Sequence, residues 1–418
     1  MDKEFALEAV PQTNRRGFWK MFILMVGFTF FSASMLSGGE LGLGLSMSEF
    51  IVIVLIGNLI LGLYTSGLAF IASKTGLSTH LLARYAFGEK GSYLVSFLLG
   101  ATQVGWFGVG IAMFAVPVHK VTGIDMLPLI IVAGMAMTTS AFIGMKALTF
   151  LSFIAVPSIA ILGSVSVGIA IDDLGGLREL FAYQPDASLG LATALTICIG
   201  SFASGGTLTP DFTRFAKTKT IAVVTTLVAF FLGNSLMFLF GAVGAVSTGL
   251  GDISEVMFVQ GIIVPAVIVL GLNIWTTNDN ALYASGLGFS NITKFDKRKV
   301  VIFNGIIGTV FAMWLYNNFV GWLTLLGSAL PPIGAILLAD FFILHKAKYP
   351  VFEQMKFKMI RWSAIIAWAG GFAAAEFLPG IPPLNGMIAG ALLHTGISFV
   401  TVKLMSAKEK INLGKEVS

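Results

Sequence analysis

Long apolar runs alternate with short polar or charged stretches along the whole chain. A run of about 20 apolar residues is long enough for one α-helix to cross a hydrocarbon core of roughly 30 Å. Because lipid offers no partners to backbone groups, these runs are predicted to be helices. The predicted spans are 18–37, 49–73, 92–117, 125–144, 147–171, 190–217, 219–246, 256–288, 299–316, 318–343, 360–378 and 383–405. The pattern therefore predicts an all-α membrane protein with twelve transmembrane helices.

The predicted spans fall into three groups flanked by polar tails, with no soluble domain between them. The tails are residues 1–17 and 406–418. A first group of five spans covers 18–171, a second group of five covers 190–343, and two additional spans cover 360–405. The connection at 74–91 is long enough for a short interfacial helix.

Charge predicts the orientation of the chain in the membrane. Only 11% of the residues are charged and 56% are hydrophobic, whereas soluble domains carry roughly 25% charged residues. With the N-terminus in the cytoplasm, all but two of the 26 basic residues, Lys120 and Arg178, fall on the cytoplasmic side. The positive-inside bias predicts this asymmetry. We therefore expect both termini in the cytoplasm, and the net charge of +5 does not indicate a nucleic-acid surface.

The two groups of five spans place polar and glycine-rich segments at matching positions. Ser32-Ala33-Ser34 in span 1 corresponds to Ser204-Gly205-Gly206 in span 6. Since five is an odd number, the second group enters the membrane from the opposite side, which makes an inverted repeat. Glycine allows unusual backbone angles and proline removes a donor, so spans 1 and 6 are predicted to be discontinuous. Close packing of helices is the other explanation for these glycines.

Span 8 carries a polar face that predicts a cation site. Asn273, Thr276, Thr277 and Asn280 recur at helical spacing and share one side of the helix. With carbonyl groups freed by a break between Gly27 and Ser34, they would form an oxygen cage. Hard cations take oxygen ligands, and a cage without a required carboxylate suits a monovalent ion such as sodium. The alternative is that the threonine hydroxyls bond to carbonyls of their own helix.

Span 3 and span 6 carry residues suited to a flat polar ligand. Gln103 and Trp106 share a helix face, and Phe202 at the break of span 6 offers a second aromatic surface. Freed backbone groups near Ser201 to Gly205 would bond the edge of a ring. The implied ligand is small, planar and uncharged. Taken singly, such a glutamine would bond a neighbouring helix and such a tryptophan would fill space.

The sequence lacks the residues that several classes of enzyme, metal site and disulfide-linked protein require. Paired catalytic acids are absent, and His80, His119, His345 and His394 have no metal-ligand spacing. The single cysteine, Cys198, lies within a predicted span, so no disulfide framework is implied. We therefore expect neither an enzyme nor a resident cofactor.

Four segments identify a resemblance to a known family. The segments 102–108, 200–202, 206–209 and 271–281 closely resemble the nucleobase–cation symporters, and the likeness extends over nearly the whole chain. The resemblance implies the leucine-transporter fold and sodium-coupled uptake of cytosine by alternating access. It also implies a protein that functions as a monomer in the lipid bilayer and binds no nucleic acid.

The same resemblance implies roles for individual residues. Trp106 and Phe202 would sandwich the base, and Gln103 would bind its edge. The other residues expected at the substrate are Ser201, Ala203, Ser204, Asn278 and Ser32. Thr276, Thr277 and the carbonyl of Asn273 would ligate sodium. Two carbonyls of span 1 would complete the shell, and both Gly27 with Phe30 and Phe28 with Phe31 fit the spacing.

Three alternatives remain open from the sequence. A proton-coupled carrier of cytosine or of a related nucleobase or hydantoin would use Asp279 as a proton shuttle. A channel would need an open filter, which breaks at mid-membrane do not favour. A receptor would bind a base without moving it.

Gln103 leaves the choice between cytosine and uracil undecided, since its amide can flip. Hydantoin-type relatives carry a tryptophan in place of Phe202, which indicates a differently seated ring in this chain.

Overall fold

The computed structural model describes residues 5–318 and 325–416, and within them the chain is helical with one isolated parallel bridge between Arg16 and Ala216. The start of the predicted tenth span and the ends of both predicted tails lie outside the described residues. The helices are α1 (Phe18–Thr29), α2 (Ser32–Gly44), α3 (Met47–Thr75), α4 (Thr79–Phe87), α5 (Gly91–Thr122), α6 (Met126–Ile143), α7 (Met145–Asp173), α8 (Leu177–Ala182), α9 (Leu191–Thr207), α10 (Thr209–Thr213), α11 (Lys219–Thr248), α12 (Ile253–Val259), α13 (Ile263–Thr293), α14 (Lys297–Val310), α15 (Ala312–Asn317), α16 (Leu325–Leu344), α17 (Trp362–Phe377) and α18 (Pro382–Glu416).

Seven of the described helices are long and apolar enough to cross a membrane, or eight if the bent pair α1–α2 is one span. The other predicted spans coincide with α9–α10, α13, α14–α15 and α17. Of these, α9 and α17 have 17 and 16 residues. Helix α13 has 31 residues but carries the polar segment 273–280. These helices therefore fall below the length or apolarity of the seven long helices.

The chain bends sharply between α1 and α2. The two helix axes differ by 52°, and Phe30 and Phe31 form the connection. Phe31 is extended, with φ −128° and ψ 130°. The interruption lies within the expected segment from Gly27 to Ser34, although neither residue of the connection is a glycine.

Span 6 comprises α9 and α10. Residues 204–206 stay helical, and the interruption between α9 and α10 lies at Leu208, after the glycine-rich segment and before Pro210. Space explains the two glycines: a Cβ at Gly205 would lie 2.9 Å from the ring of Phe202, and one at Gly206 would lie 2.9 Å from Thr65. Pro210 begins the next helix, where its missing N–H costs nothing.

Glycines also allow α2 to pack against α11. A Cβ at Gly38 would lie 2.2 Å from the carbonyl oxygen of Phe238, and one at Gly241 would lie 1.9 Å from that of Met35. Gly42 meets Ala242 in the same way. Small residues four apart let helix backbones approach closely. In α2 the glycines therefore serve packing, and the backbone interruption precedes them.

The segment before α1 crosses the helix ends on one side of the bundle. Its backbone bonds Gly76 after α3 through Val10, and bonds Phe215 and Lys217 after α10 through Arg16. The guanidinium of Arg16 also donates to Thr149 of α7. The described part of the predicted polar tail is thus packed against the ends of three helices.

A charged cluster joins α16 to the last two helices. Asp340 accepts hydrogen bonds from Arg361 at 2.8 Å and from Tyr349 at 2.7 Å. His394 of α18 lies 3.0 Å from the same carboxylate, and His345 lies 3.2 Å from it. Asp340 and His394 are fully buried. The cluster satisfies a buried carboxylate and fixes α17 and α18 against the bundle.

Candidate substrate and ion site

A cavity of about 450 Å³ lies where α1, α5, α9 and α13 meet. It is lined by Phe28, Phe31, Gln103, Trp106, Ser201, Phe202, Ser204, Gly205, Thr277, Asn278 and Ala281. These residues come from α1, from the connection that follows it, and from both groups of five spans. The cavity therefore collects most of the residues that the sequence placed at the substrate.

Four aromatic rings dominate its walls. The ring of Phe31 lies 5.3 Å from that of Trp106 at 75° and 6.3 Å from that of Phe202 at 87°. Phe28 meets Phe202 edge-on at 5.2 Å. Trp106 is 7% exposed and Phe202 is 5% exposed. A flat ring inside the cavity would contact aromatic surface on more than one side, which is an arrangement that favours stacking.

Gln103 supplies the polar edge of the cavity. It is 6% exposed and lines the wall beside Trp106, one helical turn away on α5. Its amide makes no hydrogen bond to any other residue that the structure describes. A glutamine amide carries both donors and an acceptor. The side chain can therefore form a paired donor–acceptor contact with a ligand.

Helix α9 contributes fewer free groups than the sequence suggested. Ser201 and Ser204 line the cavity, and the hydroxyl of Ser201 donates to the carbonyl of Cys198 at 2.9 Å. Ala203 does not line it: this residue is fully buried, and its carbonyl accepts from the Thr207 hydroxyl at 2.9 Å. Because α9 continues to Thr207, Ala203 faces its neighbours, and its expected role at the substrate stays a prediction.

Asn278 lines the cavity but is held by the helices behind it. Its Nδ2 donates to the carbonyl of Phe107 at 3.1 Å and lies 3.1 Å from the sulfur of Met137. The amide is thus anchored to α5 and α6 at the cavity wall.

Ser32 lies outside the cavity. Its backbone N–H donates to Oδ1 of Asn273 at 2.9 Å, and its hydroxyl donates to the same oxygen at 2.5 Å. Nδ2 of Asn273 donates to the carbonyl of Phe30 at 2.5 Å. Ser32 begins α2 and binds α13, so its expected contact with the substrate stays a prediction.

An oxygen cluster lies on α13 beside the bend of span 1. The hydroxyl of Thr276 is 2.8 Å from the carbonyl oxygen of Asn273, and that of Thr277 is 3.1 Å from it. Both hydroxyls thus bond back to their own helix, as the alternative expectation held. The same bonds gather three oxygens at one place. Of the expected span 1 carbonyls, that of Phe30 faces α13 directly, since it accepts from Asn273.

Asp279 is fully buried and faces away from the oxygen cluster. Its Oδ1 accepts from the hydroxyl of Ser140 at 2.7 Å, and that hydroxyl accepts from the indole N–H of Trp275 at 2.8 Å. Its Oδ2 has no partner among the described residues. This carboxyl connects α13 to α6.

The cavity also contains residues that the sequence did not assign to the substrate. Phe28 and Phe31 were expected only to ligate sodium through their backbone carbonyls, yet their rings form its walls. Ala281 completes the wall beside Trp106. Position beside a helix break was the available signal for Phe31. No signal distinguished the ring of Phe28 from other phenylalanines of an apolar run.

A second cavity, of about 650 Å³, opens beyond Ser32 and Ile274 between α2, α5, α12 and α13. Lys120 and Glu255 lie at its rim and form an ion pair of 2.6 Å. Both side chains are exposed, at 53% and 41%.

Comparisons with known proteins identify the family of the chain. Residues 9–400 match the family of permeases for cytosine/purines, uracil, thiamine and allantoin. The cytosine permease of Escherichia coli (strain K12) is 56% identical over 393 residues, 94% of each chain. The hydantoin permease of Microbacterium maritypicum is 24% identical over 365 residues, 77% of this chain and 73% of that protein.

A solved structure shows the same fold. Mhp1, a nucleobase-cation-symport-1 family transporter in a closed conformation with bromovinylhydantoin bound, superposes with a TM-score of 0.83. It is 21% identical, and the match covers 97% of this chain and 96% of that one. The expected resemblance to the nucleobase–cation symporters is confirmed, as is the expectation that the protein is not an enzyme. The chain belongs to the family of permeases for cytosine/purines, uracil, thiamine and allantoin.

Proposed function

We propose that the protein is a sodium-coupled symporter that imports cytosine across the bacterial inner membrane by alternating access. In this proposal twelve spans form two inverted five-helix repeats and two additional helices, with spans 1 and 6 discontinuous. Both termini lie in the cytoplasm, and one chain suffices for transport.

The observation that supports cytosine as the substrate is the combination of the aromatic cavity with the Gln103 amide. That amide makes no hydrogen bond to another described residue. Cytosine is flat and presents a donor amine beside an acceptor nitrogen. The Gln103 amide offers the complementary acceptor and donor, while Trp106 and Phe202 offer ring surface. The 56% identity to a cytosine permease supports cytosine over the larger or differently seated ligands of other relatives.

The assignment of sodium as the coupling ion is based on the oxygen cluster at Asn273, Thr276 and Thr277. Monovalent sodium takes neutral oxygens, and the cluster lies against the bend between α1 and α2. An ion bound by both α13 and span 1 would join the two repeats. It would therefore favour one conformation of the carrier, and a ligand shifts an equilibrium only by its differential affinity for the two states.

The route follows from the two cavities. Cytosine enters from outside through the cavity between Lys120 and Ser32 and reaches the aromatic slot. Closure around the base and opening on the other side release it to the cytoplasm. Since the segment before α1 binds the ends of α3, α7 and α10, those contacts would break or shift when the carrier opens inward.

Uptake of labelled cytosine into proteoliposomes tests the proposal. An inward sodium gradient at equal pH should drive uptake, and potassium should not replace sodium. The double variant Thr276→Ala with Thr277→Ala should lose the sodium dependence. Thr293→Ala is the matched control, because its hydroxyl bonds back within the same helix at 2.8 Å, roughly 24 Å along the axis from Thr277. Uptake indifferent to sodium would contradict the coupling.

Asp279 motivates one second candidate, a proton-coupled carrier. Its carboxyl is buried in α13 with one oxygen unpartnered among the described residues. This candidate predicts uptake driven by an inward proton gradient without sodium, and its loss in Asp279→Asn. The sodium symporter predicts that Asp279→Asn retains sodium dependence.

A further inference from the structure

We propose that the side chain of Asn273 is a positioning residue that holds the bend of span 1 and thereby couples the ion cluster to the substrate cavity. The inference rests on the proposed sodium-coupled function. It concerns the side-chain amide, whereas the family resemblance implied a role only for the backbone carbonyl of this residue.

The bend leaves backbone groups that need partners. Where a helix ends and another begins, terminal N–H and C=O groups lose their intrahelical bonds and require other partners when buried. Phe30 directly follows α1 as its C-terminal cap, and Ser32 begins α2. Both residues are buried, at 3% exposure each. Water therefore does not offer a substitute partner at this place.

One amide satisfies both sides of the bend. Nδ2 of Asn273 donates to the Phe30 carbonyl, while Oδ1 accepts from the N–H and the hydroxyl of Ser32. Asn273 itself is fully buried. A carboxylate has no donor and a leucine has neither group, so this pairing specifies an amide. The bonds fix the two helices on either side of Phe31 relative to α13.

The same residue belongs to the ion cluster through its main chain. Its carbonyl oxygen accepts from the hydroxyls of Thr276 and Thr277. Phe31, the residue between the two bonded groups, lines the substrate cavity. A displacement of the cluster on ion binding would thus pass through one rigid residue to the cavity wall. Without the amide, the two sites would lose this direct connection.

The test measures cytosine binding to the purified full-length protein with and without sodium. The ratio of the two dissociation constants is the coupling factor. Asn273→Ala should lower this factor by about tenfold or more and raise the sodium concentration needed for half-maximal effect, since a buried bonded pair is lost on each side. Ser32→Ala is the matched control: it removes one hydroxyl donor, keeps the N–H bond, and should change the factor by about threefold or less.

Asn273→Asp separates positioning from mere folding. It keeps an acceptor for Ser32 and loses the donor to Phe30, so the coupling factor should fall between those of the wild type and Asn273→Ala. This variant carries the test if Asn273→Ala does not fold. Folded Asn273→Ala, or folded Asn273→Asp in its place, with the wild-type coupling factor would overturn the inference. Failure of the proposed function is distinct, because it would show as a wild-type protein whose cytosine binding ignores sodium.

Discussion

Gly110 of α5 faces Asn278 of α13 so closely that a Cβ at position 110 would lie 2.1 Å from the side-chain oxygen of Asn278. The other end of that amide donates to the Phe107 carbonyl. The missing side chain of Gly110 and the backbone of α5 therefore determine together how Asn278 stands at the cavity wall.

Gly110→Ala should displace Asn278 and weaken cytosine binding. Overpacking of a buried site costs typically 1–3 kcal/mol, so we expect the dissociation constant to rise by about tenfold or more and the unfolding temperature to fall. Gly168→Ala in α7 is the control, since a Cβ there meets nothing within 4 Å. Equilibrium binding and thermal unfolding of both variants check the prediction. Wild-type affinity in Gly110→Ala would show that Asn278 does not shape the site.

Gln103→Leu should reduce cytosine affinity while preserving the fold. The substitution keeps the approximate volume and removes both the donor and the acceptor that face the cavity. Losing a paired contact to a buried ligand costs about 1–3 kcal/mol, which corresponds to a rise in the dissociation constant of roughly 5- to 150-fold. A panel of cytosine, uracil, hypoxanthine and hydantoin measures the effect. Wild-type cytosine affinity in folded Gln103→Leu would contradict recognition of the ring edge by Gln103.

Phe202→Trp should not convert the site without cost. The ring of Phe202 already meets those of Phe28 and Phe230 edge-on, each at 5.2 Å. A larger indole must either displace these rings or enter the cavity of about 450 Å³. We expect weaker cytosine binding, with hydantoin less affected, measured by competition for labelled cytosine. Tighter cytosine binding in this variant would contradict the packing argument.

The sequence predicts the helices and the candidate site residues, because these follow from periodicity and side-chain chemistry. It does not predict the contacts between helices, because these depend on packing. The sequence indicates Gln103 because a polar group in hydrocarbon is costly and therefore tends to face a cavity. It indicates Trp106 and Phe202 because their aromatic rings lie next to such polar segments. The interruption in span 6 lies at Leu208, because Gly205 and Gly206 allow close contacts within a continuous helix. Ser32 and Asn273 could not be paired from the sequence, since they lie 241 positions apart. In the sequence, Phe28 and Phe31 resemble residues that face lipid. In the structure, their rings line the cavity beside the bend.

The stability of the protein should depend on pH through His345, which follows the end of α16. Its hydrogen bond to Asp340 raises the pKa of His345 above the usual 6.5. A raised folded pKa gives stability that is fully present below the unfolded pKa and is lost as pH rises through the folded value. Arg361 opposes the shift, and His394 and Tyr349 share the same carboxylate.

We therefore expect the wild type to be more stable at about pH 5.5 than at pH 8.5, with His345 contributing about 1 kcal/mol or less to the difference. His345→Gln should remove this contribution. Thermal unfolding of both proteins across this range is the measurement, and His119→Gln is the control because that ring lies outside the cluster. An unchanged pH dependence in His345→Gln would contradict the assignment.

The most direct test of the account is reciprocal binding of cytosine and sodium to the purified wild-type protein. Calorimetric titration of cytosine at increasing sodium, and of sodium with and without cytosine, yields two coupling factors. Linkage requires them to be equal, and typical couplings are about 5- to 150-fold. We predict that sodium tightens cytosine binding, that cytosine tightens sodium binding by the same factor, and that Thr276→Ala with Thr277→Ala brings the factor close to one. Cytosine binding of the same strength at every sodium concentration would contradict the account.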